Sequence, residues 1–196
     1  MSDRSAYLIL RDPGFSFARL AGDMEQFGVV LANPTTKQAT SLSLEGEQLP
    51  TSAREIEAAI ENKQEITFQF WIDGDDDLVC ELRRRDSFIT EWYSFANPGA
   101  KRGWLIHLFL NRFVSAASGG GLVLEVLDID GATAEFDWDE FAKRPERIPI
   151  GASVIVLPET AAQDVVAPDD YVRLTVNGLA VWCASELELT VRSFFW

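Results

Sequence analysis

The sequence predicts an α+β fold, with antiparallel β-sheets and meanders packed on one long central helix at about residues 98–117 and one or two shorter helices. Three observations lead there. Residues 65–72 alternate apolar and polar side chains and are rich in branched and aromatic residues; Asp73-Gly74-Asp75-Asp76-Asp77 turns the chain, and residues 78–83 and 88–93 return it as a meander. Residues 104–114 are apolar on nearly every face of a helix, so the helix must be covered on most sides. Finally, Asn177-Gly178 separates two alternating runs, residues 171–176 and 179–183, the strongest short-range hairpin signal in the chain.

The other elements follow in order. Residues 6–10 form a short apolar run stopped by Asp12-Pro13-Gly14 and predict a first strand. Phe17, Leu20, Met24 and Phe27 recur at helical spacing. Residues 29–31 lead into a turn at Asn33-Pro34-Thr35-Thr36, and residues 40–44 alternate as a half-buried strand does. Ser52 and Glu55 form a capping box, opening a helix that should end near Asn62. Asn97 and Pro98 suit the cap and first position of the central helix, and Gly119-Gly120-Gly121 suit its end. Beyond it, residues 122–127 are expected to pair with 132–136 across Asp130-Gly131. Residues 138–143 read as a short helical turn, 153–157 as a buried strand and 158–170 as the longest loop. Residues 187–192 alternate again, predicting a last strand before Phe194-Phe195-Trp196, which should tuck into the fold or a partner.

A chain of 196 residues fits one domain, with two sub-layers conceivable at 1–118 (sheet plus central helix) and 119–196 (mostly β). It can bury about 70% of its unfolded surface, so it needs neither metal nor disulfide to hold together. The net charge of −14 divides as −5 over residues 1–118 and −9 over the remainder. Such a balance argues against nucleic acid and anionic lipid as ligands and favours a basic partner or simple solubility. Cys80 and Cys183 lie in strand-like surroundings, and the N-terminal residues lack the pattern of a secretion signal. Reduced thiols and a cytoplasmic location are the expectation.

No catalytic or cofactor constellation stands out. His107 is the single histidine and sits in the most apolar helix, which favours a packed histidine over a catalytic base. One histidine with two distant cysteines makes a poor zinc set. The 73–77 loop has the Asp-x-Asp-x-Asp spacing of a calcium site, but Leu78 stands where glycine is required and Arg84 where the bidentate glutamate belongs. Asp128 with Asp130, or Asp137 with Asp139 and Glu140, could in principle pair as acid and base, though turn chemistry already accounts for Asp130. The three glycines follow a helix instead of opening one, so they are not a phosphate loop. Arg83-Arg84-Arg85 could clamp an anion or balance the acidic hairpin beside it. No metal or cofactor is expected.

The assembly running from Phe70-Trp71-Ile72-Asp73-Gly74-Asp75 through Trp92-Tyr93 to Trp104 resembles the immunity proteins of bacterial polymorphic toxin systems. The resemblance implies a non-catalytic inhibitor that occludes the active site of a cognate toxin, with carboxylates steering it to a basic cleft. It points to Asp73, Asp75, Asp76 and Asp77, then to Asp137, Asp139 and Glu140, as partner-binding residues. Trp71 and Trp138 are candidate anchors, since a few buried aromatics usually dominate an interface, with core packing the competing role. Two alternatives stay open: a structural or regulatory interaction module, phage- or secretion-associated, and a small-molecule-binding protein with a pocket between the sheets.

Overall fold

The computed structural model describes residues 4–11, 15–96, 99–118 and 121–196. The expected turn at Asp12-Pro13-Gly14, the Asn97-Pro98 cap and Gly119-Gly120 lie outside them. In chain order the elements are β1 (Ser5–Arg11), α1 (Phe17–Glu25), β2 (Ala39–Leu42), β3 (Gln48–Thr51) and α2 (Ala53–Glu61). A meander follows, β4 (Ile66–Trp71), β5 (Asp77–Arg85) and β6 (Phe88–Phe95). One 3₁₀ turn, Gly99–Lys101, then leads into α3 (Arg102–Ser118). The second half contributes β7 (Leu122–Asp128), α4 (Trp138–Lys143), β8 (Val154–Pro158), β9 (Tyr171–Val176), β10 (Leu179–Ala184) and α5 (Glu188–Phe195).

Among the described residues all ten strands join one antiparallel sheet in the order β3-β2-β4-β5-β6-β1-β7-β8-β10-β9. The first strand of the chain closes the gap between the two halves, pairing with β6 on one side and β7 on the other. The fold is therefore α+β, but one sheet dominates, where several sheets built on a central helix were expected. A helix, even a long one, can cover only a few strands.

Alternation along each strand sends the apolar sets to opposite faces. One face carries Leu8, Phe68, Phe70, Leu78, Cys80, Leu82, Tyr93, Val156 and Val181, and it is roofed by α1, α2, α3 and α5 in the main core. Phe109 of α3 packs edge-on against Tyr93 and stacks on Phe95. Ser52 caps α2: its hydroxyl accepts from the Glu55 N–H and donates to the Glu55 carboxylate, and the helix closes at Asn62. On the other face the segment before β2 covers Gln69 and Trp71, and α4 covers the second half. There Ile9, Leu124, Val126, Ile155, Leu157 and Trp182 meet Trp138 and Phe141 of α4 in a smaller core.

Two sequence expectations give way. Residues 132–136 do not form a strand paired with β7. The buried Asp128 carboxylate accepts from the N–H groups of Gly131, Ala132 and Thr133 at 2.8, 3.1 and 2.7 Å and from the Thr133 hydroxyl at 2.7 Å. That winds the chain into consecutive turns, and β7 pairs with β1 and β8 instead. Residues 187–192 are likewise not a strand: Leu187 and Val191 lie one helical turn apart and are both buried, and Glu188 pairs with Arg192 at 2.7 Å. In addition β3, an exposed edge strand containing Pro50, went unread in the sequence.

Candidate functional site

The half of the outer sheet face that α4 leaves open forms a groove. Register across β5, β6 and β1 sets out its floor as three rows: Glu81–Trp92–Tyr7, Arg83–Thr90–Ile9 and Arg85–Phe88–Arg11. Strand alternation points these side chains away from α1, α2, α3 and α5. Two open cavities of about 300 and 500 Å³ meet at Thr90. The first is lined by Tyr7, Glu81, Arg83, Thr90 and Trp92; the second adds Phe88 and Arg85 from the sheet, Asp86 from the β5–β6 turn, and Asp137, Asp139 and Lys143 from α4 and its cap.

The α4 wall is fixed by its own capping. Asp137 is the N-cap, its carboxylate accepting from the Glu140 N–H at 2.8 Å, while Glu140 pairs with Lys143 at 3.1 Å. Asp139 faces the groove, accepting from the Tyr7 hydroxyl at 2.6 Å with Arg85 3.9 Å away. Burial, and then the hydrogen bond to Asp139, push the Tyr7 phenol well above its usual range, so it stays a neutral donor. On the β5 side of the floor Arg83 is held by Glu81 and, at 3.0 Å, by Glu65.

The acidic hairpin is a separate place. Asp77 and Arg85 are the two ends of β5, so the hairpin and the α4 wall stand about 27 Å apart. Within it Asp73 accepts from the N–H groups of Asp75 and Asp76, both at 2.9 Å, a turn-forming arrangement. Asp76 pairs with Lys101 at 2.5 Å, and Asp77 accepts from the Gln69 amide at 2.6 Å. Much of this charge is thus engaged locally, while Asp75 is exposed. Trp71 and Trp138 are each only 8% exposed. Trp71 exchanges both backbone hydrogen bonds with Val30, and Trp138 packs on Phe136 and Phe141, so both serve the interior here. Tyr7, Phe88, Thr90 and Trp92 were not singled out together from the sequence. The period-2 placement of Phe88, Thr90 and Trp92 was the available signal.

A second polar centre lies between α3 and the sheet. Arg112 donates to both oxygens of Glu91, at 2.5 and 3.2 Å, and to Asp23 at 2.9 Å; Tyr93 also donates to Glu91, at 2.7 Å. Burial opposes the charge on Arg112, yet Glu91 and its neighbours outweigh it and raise the guanidinium further. Glu125 sits across Leu8 from Glu91, fully buried, and among the described residues neither carboxyl oxygen has a hydrogen-bond partner. Burial pushes its pKa far up. With Glu91 and Glu125 both 0% exposed, nothing outside can reach this centre, and its role is internal.

Cys80 and Cys183 are buried free thiols, the latter pushed up to about 11 by burial. His107 lies against Phe194 of α5. Among the described residues no three His, Cys, Asp or Glu side chains are placed to hold a metal, and no helix is long and apolar enough to cross a membrane. No protein family, curated protein or solved structure matches the chain.

Proposed function

We propose that this chain is a non-catalytic protein-binding inhibitor of the polymorphic-toxin immunity type, neutralising a cognate toxin in the cytoplasm by covering its active site. The observation supporting this is the unequal covering of the sheet: one face is roofed by four helices, while the other stays open over β5, β6 and β1 beside an acidic α4 wall. Half-buried aromatics rimmed by charge are the composition of a surface that takes a protein partner. Asp137, Asp139 and Glu140 then serve as the contact acids. Asp73, Asp75, Asp76 and Asp77 act from a distance by steering a basic partner, which can raise association rates 10–10³-fold at low salt.

The test is affinity capture with the full chain at moderate salt, mass spectrometry of the eluate, and co-expression of the recovered protein with and without this chain. One basic protein whose toxicity is lifted by co-expression supports the reading. Several unrelated, non-toxic proteins would replace it with an adaptor role.

A further inference from the structure

Resting on that reading of the groove as a partner surface, we propose that its occupant is an extended polypeptide segment bearing lysine or arginine, laid along β6 between β5 and α4. The charge balance of the groove carries this. Three of its four cations already face a carboxylate of this chain: Arg83 has Glu81 and Glu65, Lys143 has Glu140, and Arg85 has Asp139, while Arg11 at the end of the floor is exposed and, among the described residues, in no ion pair. Asp86 and Asp137 also line it, and among the described residues neither is in an ion pair. Asp86 and Asp137 against Arg11 leave the unmatched charge negative on balance, so the complementary ligand is cationic.

The floor argues for a side chain with an apolar stem. Phe88 is 39% exposed and Trp92 half-buried, separated by Thr90. A lysine or arginine can lay its methylenes on such rings and hold its charge over their faces while the head reaches a carboxylate. The shape argues for an extended chain. From Phe88 to Trp92 the floor runs about 14 Å, the span of four residues of β-strand, and the two cavities join along it end to end.

The probe is a fluorescein-labelled decapeptide alternating lysine and valine, with a glutamate–valine decapeptide as control. It is titrated into the full ¹⁵N-labelled chain and followed by amide shifts and anisotropy. Shifts should cluster at residues 83–92 and 137–143 and at the Trp92 indole, with no binding of the glutamate peptide. The Asp86→Asn/Asp137→Asn double variant should bind about tenfold more weakly. Asparagine caps a helix as aspartate does and tolerates the φ of 51° at Asp86, so this variant keeps the fold. Trp92→Leu, which keeps a large apolar side chain, should weaken binding independently of salt. Shifts confined to the 73–77 hairpin, equal affinity for the glutamate peptide, or unchanged affinity in the double variant would overturn the proposal. A recovered toxin that binds wild type and both groove variants equally would overturn it too, while leaving toxin neutralisation standing. A lysine peptide seated in the groove, with no toxin recovered, would keep the groove and remove the toxin reading.

Discussion

Two residues near the end of β7 show how much one side chain decides. Asp128 is 1% exposed and accepts four hydrogen bonds from the three residues that start the following turns. Asp128→Ala would orphan buried donors, and we expect a loss of about 3 kcal/mol in urea unfolding. Gly151 has φ 102°, and a Cβ there would collide with the side chain of Ala132 in those same turns. Gly151→Ala is therefore expected to cost about 2 kcal/mol; a change within 0.5 kcal/mol, read by the same measurement, would show that the 132 turn gives way freely. This region also marks where residue-level reading fell short. Asp130-Gly131 is a hairpin signal by type, and nothing local says that Asp128, two positions earlier, spends its carboxylate on three successive backbone amides.

Among the elements, those whose signals are local were legible: the Ser52 capping box, the Asn177-Gly178 turn with φ 50° and 80°, and the β4–β6 meander. The α5 helix was read as a strand because residues 187–192 satisfy both periods, and packing of Val191 and Phe194 beside α3 decides between them. The contact between α3 and the sheet carries the clearest pH dependence. Glu125 faces Glu91 on β6 and Arg112 on α3, and Arg112 in turn holds Asp23 on α1. With its folded pKa raised above the unfolded value near 4.3, the folded state binds more protons than the unfolded one in the window between them. Its contribution is full below the unfolded value and is lost as pH rises through the window, at up to about 1.4 kcal/mol per unit. Glu125→Met should then be more stable than wild type at neutral pH, with the gap widening from pH 5 to 8 in urea titrations. A gap that ignores pH would assign the effect to packing alone. Arg112→Met, in contrast, would strand Glu91 and Asp23 and should cost about 3–5 kcal/mol at pH 7.

For the whole molecule, strand order was the part the sequence did not disclose. Each pairing except that of β1 is with a strand nearby in the chain, and the β1 insertion between β6 and β7 leaves no turn signal to read. The groove shared this fate. Its floor needs β1 beside β6, and its acidic wall needs β7 beside β1, so Tyr7 and Asp139 meet across 132 positions. The same order predicts a gradient of native-state hydrogen exchange. Amides of β6, β1 and β7, paired on both sides, should exchange slowest; those of β3, tied in through the single β2–β4 register pair Ser41–Phe68, should exchange fastest. Uniform protection across the sheet would instead mean that it opens only as one unit.

The insertion also sets a schedule during biosynthesis. β1 leaves the ribosome before both its partners: β6 ends 84 residues after it and β7 117 residues after it. At 5–20 residues per second, Tyr7-Leu8-Ile9-Leu10 waits roughly 6–23 s with at least one bare edge. That interval is one in which a nascent-chain chaperone has something to hold, and in which a truncated product would present an adhesive strand to its neighbours.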